Sequence, residues 1–166
     1  MHGRSNPVAH LDADEEKARA VAVALLARRD FASKELREKL DVKGFAPAAT
    51  AALIAELTRA GVLNDERYAH NYVAYRAARG QGPIRIAAEL RRRGLPEELI
   101  EAALASGPDW SALAGKVFRA KFGPQPPASS WSQRARQARF LQYRGFSSDH
   151  IRSAIGADPD TGFAEL

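Results

Sequence analysis

Residues 86–104 read IAAELRRRGLPEELIEAAL, and the same pattern occurs as LREKLDVKGFAPAATAALI over 36–54 and as QARFLQYRGFSSDHIRSAI over 137–155. In each copy a leucine lies four residues before a glycine, and an apolar residue follows that glycine directly. The three glycines, which are 50 and 51 residues apart, are Gly44, Gly94 and Gly145. Similarity at a fixed period indicates a tandem repeat architecture.

The repeated pattern predicts a helix that ends at a left-handed glycine, after which the apolar residue folds back onto that helix. A cation precedes each glycine, where the negative end of the helix dipole favours it. These cations are Lys43, Arg93 and Arg144. Pro47, Pro96 and Ser147 then lie where a second helix should begin, because proline suits the first turn and serine the cap. Each copy therefore predicts two helices.

A third helical stretch is expected before each pair. Residues 15–30 carry an apolar stripe with helical spacing and end before Ser33, which we expect to cap the next helix. Asp65 is expected to cap the corresponding helix of the second copy. No bounded, alternating run of β-branched residues predicts a strand. Because a unit of this size buries little surface alone, we expect an all-α tandem array of three three-helix repeats, elongated and curved.

The expected domain organisation follows from these repeats and from the acidic ends of the chain. The predicted segments are a disordered, acidic N-terminal tail at 1–16, repeats at 17–64, 65–107 and 108–157, and an acidic C-terminal tail at 158–166. The third repeat contains a proline-rich loop, GPQPPASS, at 123–130.

The charge of the chain is concentrated in its repeats. The net charge is +5, but 7 of the 20 acidic residues and only one of the 25 basic residues lie in the two tails. Residues 17–157 thus hold 24 basic and 13 acidic side chains, a local net charge of +11. A region with this positive charge attracts polyanions or acidic protein surfaces.

Several function classes are disfavoured by the sequence. The chain has no cysteine, no apolar run long enough to span a membrane and no apolar signal core near its start, so we expect a cytoplasmic protein. It also lacks the glycine-rich phosphate-binding patterns and the nucleophile elbow. We expect neither an enzyme nor a bound metal or cofactor.

The densest basic cluster falls in the second repeat and supplies the candidate binding residues. The candidates for partner binding are Arg76, Arg79, Arg85, Arg91 and Arg92, the exposed aromatic Tyr75, and Lys121, Arg136 and Arg139 of the third repeat. The alternative is a solvated face whose arginines pair with Glu89, Glu97 and Glu98. The other aromatic residues are interpreted as packing residues, among them Tyr68, Tyr72, Trp110 and Trp131.

Three segments together resemble the RecX family of recombination regulators: LLARRDFASKELREKL, GVLNDERYAHNYVAYRAARGQGPIRIAAELRRRGL and FLQYRGFSSDHIRSAI. The resemblance covers about residues 18–155. It implies tandem three-helix repeats that lie in the groove of the RecA filament and inhibit its ATP hydrolysis, strand exchange and coprotease activity. The implied partners are the RecA filament and single-stranded DNA, the latter weakly or through the filament. We expect the protein to be a monomer.

Two other functions remain open from the residues alone. A helix, a glycine turn and an arginine-rich helix are also typical of a helix-turn-helix protein that binds duplex DNA. A helical adaptor that contacts only proteins is the second alternative, and it predicts binding that salt does not weaken.

Overall fold

The computed structural model describes residues 7–124 and 130–156, with side chains from residue 14 onward. These ranges contain nine helices and no strand. The helices are α1 Pro7–Leu26, α2 Ser33–Val42, α3 Pro47–Arg59, α4 Asp65–Ala78, α5 Pro83–Arg92, α6 Glu97–Ala105, α7 Trp110–Phe122, α8 Trp131–Arg144 and α9 Ser148–Ile155. The predicted all-α class and the three helices per repeat are confirmed.

The turns at the repeated glycines have the predicted geometry. Gly44, Gly94 and Gly145 have φ values of +87°, +80° and +93°. After Gly145, the backbone N–H of Phe146 donates to the carbonyl oxygen of Leu141 at 3.1 Å, and the Phe146 ring is buried beside Leu141. The chain therefore folds back onto the helix that it has just completed.

Two predicted helix caps are wrong by one residue. Ala32 occupies the N-cap position of α2, and the backbone N–H of Ser33 donates to Oδ1 of Asp65 at 2.7 Å. Asn64 caps α4 instead of Asp65, since its Oδ1 accepts from the backbone N–H of Arg67 at 2.8 Å. The carboxylate of Asp65 therefore caps α2, and Asn64 caps α4, the helix that Asp65 begins.

The other helix starts agree better with the sequence. Pro47 and Pro83 are the first residues of α3 and α5. Ser147 caps α9 in a capping box with His150, as its role in the pattern predicts. Pro96 lies one position earlier than expected, because it is the N-cap of α6 rather than its first residue.

The described chain forms two compact units. Unit 1 contains the residues up to Tyr68 together with Arg93–Leu95, and unit 2 contains Ala69–Arg92 and the residues from Pro96 onward. The core of unit 1 joins α1, α2 and α3, and its largest buried members are Phe31, Leu36, Leu40, Leu53, Leu57 and Leu63. A core cluster of unit 2 joins α7, α8 and α9 around Ala114, Leu141, Phe146 and Ile151.

The structure describes only part of the expected tails and of the proline-rich loop. Helix α1 begins at Pro7, so residues 7–16, which the sequence assigned to a disordered tail, are helical here. Residues 1–6 and 157–166, and residues 125–129 of the predicted proline-rich loop, lie outside the described ranges. Among the described helices, none combines the length and apolarity needed to cross a membrane.

Candidate basic interaction surface

In unit 2 the turn between α4 and α5 is hydrogen-bonded to the C-terminal end of α8. The backbone N–H of Gly82 donates to the carbonyl oxygen of Arg144 at 2.8 Å, and that of Ile84 donates to the carbonyl oxygen of Gly145 at 3.0 Å. In return, the guanidinium of Arg144 donates to the carbonyl oxygen of Arg79 at 3.2 Å. These bonds bring the basic segments of the second and third repeats together.

The close approach at this junction requires glycine on both sides. A Cβ added to Gly82 would lie 2.6 Å from the backbone nitrogen of Phe146 and nearer still to the carbonyl group of Gly145. A Cβ added to Gly145 would lie 2.7 Å from the backbone nitrogen of Arg85. The segment GQGP at residues 80–83 therefore allows one backbone to pack directly on another.

Cations lie over aromatic rings around this junction. Distances from the cationic carbon or nitrogen to the ring centroid are 4.3 Å for Arg79–Tyr75, 5.6 Å for Arg85–Tyr143, 5.4 Å for Arg144–Phe140 and 5.9 Å for Lys121–Phe140. Tyr75 is 52% exposed and Tyr143 is 78% exposed. We call the set Tyr75, Arg79, Arg85, Lys121, Tyr143 and Arg144 the junction surface.

Glu89 is the centre of a hydrogen-bond network beneath this surface. Its carboxylate accepts bonds from the guanidinium of Arg76, including one of 2.7 Å from Nε, from the Tyr72 hydroxyl at 2.8 Å and from Arg85 Nε at 3.2 Å. Burial alone would raise the pKa of Glu89, but these three donors outweigh it and lower that pKa from 4.5 to about 2. The carboxylate is therefore ionised at neutral pH.

The network separates the predicted basic residues by their role. Arg76 directs its charge inward to Glu89 and is only 21% exposed in its side chain. Arg91 forms an exposed ion pair with Glu97, in which its Nε lies 2.8 Å from Oε2. Arg85 contacts both Glu89, through its Nε, and the ring of Tyr143. Arg91 pairs with Glu97 and Arg76 pairs with Glu89, as the solvated-face alternative predicts for both, but the Arg76 pair is mostly buried.

The remaining predicted cations are exposed and form no ion pair with the described residues. Within residues 14–124 and 130–156, no carboxylate lies within 4.0 Å of them. They are Arg79, Arg92, Lys121, Arg136 and Arg139. On α8, Arg136, Arg139 and Tyr143 recur at spacings of three and four residues and are all exposed, so they form one stripe of the helix. This stripe extends the junction surface along α8.

Two residues of the junction surface were missed by the sequence analysis. Arg144 was interpreted only as a helix-terminal cation, and Tyr143 was not singled out. Helical spacing contained the signal for Tyr143, since Gln137 and Leu141 define the buried face of α8 and a residue two positions after Leu141 points away from it. The contact of Arg144 with Arg79 had no signal in the local sequence, because it joins residues 65 positions apart.

The aromatic residues assigned to packing have mixed outcomes. Tyr68 is 7% exposed, as predicted, and Tyr72 is partly buried in the Glu89 network. Trp110 is partly buried, and its indole N–H donates to the carbonyl oxygen of Leu104 at 3.2 Å. Trp131 was predicted to pack but is 81% exposed at the start of α8, so that prediction is wrong.

The chain was also compared with known proteins. Three family models match it: RecX, first three-helix domain, at residues 18–57; RecX, second three-helix domain, at 64–104; and RecX, third three-helix domain, at 110–155. Two relatives, both named Regulatory protein RecX, come from Halorhodospira halophila and Stenotrophomonas maltophilia. The first is 40% identical over 87% of this chain and 90% of its own length, and the second is 43% identical over 84% and 85%.

The fold has solved counterparts. The crystal structure of RecX from Lactobacillus salivarius superposes with a TM-score of 0.75, at 22% identity, over 87% of this chain and 96% of its own. Another crystal structure, of regulatory protein RecX, superposes with a TM-score of 0.72, also at 22% identity, over 95% of this chain and 81% of its own. At these identities the likeness shows the fold. With the three consecutive domain matches and the identity to relatives over most of their length, the chain belongs to the RecX family of regulatory proteins.

Proposed function

We propose that the protein binds the RecA filament on single-stranded DNA and inhibits its ATP hydrolysis, strand exchange and coprotease activity. The family supports a regulatory role, since relatives share the name Regulatory protein RecX. The observation that carries the proposal is the junction surface. It combines exposed aromatic rings with cations such as Arg79 and Lys121 that no carboxylate of the described chain neutralises.

Electrostatics and repetition both favour a filament as the target. A nucleoprotein filament is a polyanion, and unpaired cations steer a protein toward such a surface at low and moderate salt. A filament also presents the same site repeatedly, so tandem repeats can engage neighbouring sites. Linked weak contacts then gain affinity through effective concentration.

The cations divide between attraction and support in this proposal. The attraction comes from exposed cations that no carboxylate among the described side chains neutralises, namely Arg79, Arg92, Lys121, Arg136 and Arg139. Arg85 supports the ring of Tyr143, and the hydrogen bond from Arg85 Nε to Glu89 fixes the guanidinium. Arg91 contributes less, since Glu97 already neutralises it.

Charge reversal at the junction surface tests the proposal. The double variant Arg79→Glu and Lys121→Glu should retain the helical circular dichroism of the wild type but lose inhibition of DNA-dependent ATP hydrolysis by RecA. The matched control is Arg28→Glu with Arg59→Glu, which reverses two exposed cations of unit 1. Full inhibition by the first pair would remove the junction surface from the proposal.

A second experiment separates the alternatives. The protein is immobilised and presented with free RecA, with RecA filaments on single-stranded DNA, and with duplex DNA alone, at low and at moderate salt. Preference for the filament, weakened by salt, supports the proposal. Preference for a particular duplex sequence favours the helix-turn-helix function, and binding unaffected by salt favours the adaptor.

A further inference from the structure

We infer that the junction surface is a stacking site for the bases of single-stranded nucleic acid, with the rings of Tyr143 and Tyr75 as its platforms. The place of this strand inside a filament rests on the proposed function. Direct binding of a free strand does not depend on it.

Tyr143 has the geometry of a platform with one occupied face. It is 78% exposed although it is a large aromatic side chain near the end of a packed helix. The guanidinium of Arg85 lies over its ring at 5.6 Å from the centroid, and the Nε of Arg85 donates a hydrogen bond to Glu89. A ring supported on one side by a fixed guanidinium is pre-organised to receive a flat ligand on the other.

Tyr75 repeats this arrangement on α4. It is 52% exposed, and the guanidinium of Arg79 lies 4.3 Å from its ring centroid. Ile84 is a third large apolar side chain that is exposed near this junction, since its backbone N–H donates to the carbonyl oxygen of Gly145. Three exposed apolar groups thus surround one cationic junction.

Cation–ring contacts are concentrated around the junction surface. In the described part of unit 2, Arg79 lies over Tyr75, Arg85 over Tyr143, Arg144 and Lys121 over Phe140, and Arg76 over Tyr72. A guanidinium stacked on a ring keeps its N–H edge free, and that edge is the part that binds a phosphate.

A nucleic acid strand fits this surface better than an acidic peptide. Both would satisfy the cations Arg79 and Lys121, but a carboxylate offers nothing to the open faces of Tyr75 and Tyr143. Each base of a single strand offers a flat π surface, and its phosphate lies within reach of a neighbouring cation. The surface is therefore expected to bind strands with little dependence on sequence.

The test measures strand binding without any recombinase. Fluorescence anisotropy is recorded with a labelled oligothymidine strand and with an abasic strand of the same length, which keeps the phosphates but lacks the bases. The wild type should prefer the strand with bases. Tyr143→Ala should weaken binding of that strand about tenfold and leave the abasic strand almost unaffected, whereas Tyr143→Phe should bind like the wild type.

Trp131→Ala is the matched control. Trp131 is an equally exposed aromatic residue of α8 but lies 12 residues, or about 18 Å along the helix axis, from Tyr143. Equal loss in both alanine variants, equal affinity of the two strands, or no binding of either strand would overturn the inference. Circular dichroism verifies that each variant is folded.

The outcomes also separate this inference from the proposed function. If Tyr143→Ala binds the oligothymidine strand normally but no longer inhibits ATP hydrolysis by RecA, the surface contacts protein, and the stacking site is rejected while the proposed function stands. If strand binding depends on Tyr143 but the wild type leaves RecA activity unchanged, the stacking site stands and the proposed function fails.

Discussion

The carboxylate of Asp65 accepts a hydrogen bond of 2.7 Å from the backbone N–H of Ser33, although the two residues are 32 positions apart. Asp65 is the first residue of α4 and Ser33 is the first residue of α2, so one helix start caps another within unit 1. The residue at the N-cap of α2 is Ala32, which has no side-chain acceptor. The distant carboxylate replaces the missing local cap and also places a negative charge at the positive end of the α2 dipole.

Removal of this cap should destabilise the protein. We expect Asp65→Ala to lower the free energy of unfolding by about 1 kcal/mol, since it leaves the Ser33 N–H without its acceptor. Asp65→Asn keeps an acceptor and should cost less. Urea unfolding measures both, with Glu66→Ala as the control because Glu66 is an exposed acid in the same turn of α4. Equal losses for Asp65→Ala and Glu66→Ala would show that only the α4 dipole is involved.

The Glu89 network predicts a specific pH dependence. Because the pKa of Glu89 is lowered from 4.5 to about 2 in the folded protein, its contribution to stability is fully present above the unfolded value and is lost as the pH falls from about 4.5 toward 2. Glu89→Gln should remove this part of the acid sensitivity. The measurement is urea unfolding of both proteins at neutral pH and within that acidic range. A difference between them that is the same at every pH would contradict the assignment.

The fold was largely predictable because it depends on local patterns. Helix spacing, the three left-handed glycines and the proline starts are set by residues a few positions apart, and the structure reproduces them except that Pro96 is the N-cap of α6. Contacts between residues that are distant in sequence were not predicted. Asp65 caps α2, and Arg144 bonds to the backbone of Arg79, and no local pattern indicates which side chains meet after folding. The pair of Arg76 with Glu89 was one of two alternatives that the sequence left open.

Two glycines with the same backbone conformation should differ in the cost of a methyl group. Gly44 and Gly145 both have strongly positive φ, so alanine is strained at either position by about 1–2 kcal/mol. A Cβ at Gly44 would meet nothing within 4 Å, whereas one at Gly145 would overlap the backbone of Arg85. We expect Gly145→Ala to be the more destabilising variant by urea unfolding and to impair inhibition of RecA. Equal effects of the two substitutions would show that the junction yields easily.

Arg76 lies in the last turn of α4, Arg79 follows the last residue of that helix, and the two predict opposite phenotypes. Arg76 is bonded to the buried Glu89, so Arg76→Gln should lower the free energy of unfolding by about 3 kcal/mol, because it leaves that carboxylate without its main partner. Arg79 is exposed over Tyr75 and forms no ion pair with the part of the chain that the structure describes, so Arg79→Gln should leave stability within about 0.5 kcal/mol of the wild type.

The same two variants should separate binding from folding. In titrations of the RecA–DNA filament at several salt concentrations, Arg79→Gln should weaken binding and reduce the salt dependence, since one contact to a phosphate is lost. Arg76→Gln should leave the salt dependence unchanged under conditions in which it is fully folded, because its charge is directed inward. A reduced salt dependence for Arg76→Gln, with an unchanged one for Arg79→Gln, would show that Arg76 and not Arg79 contacts the filament.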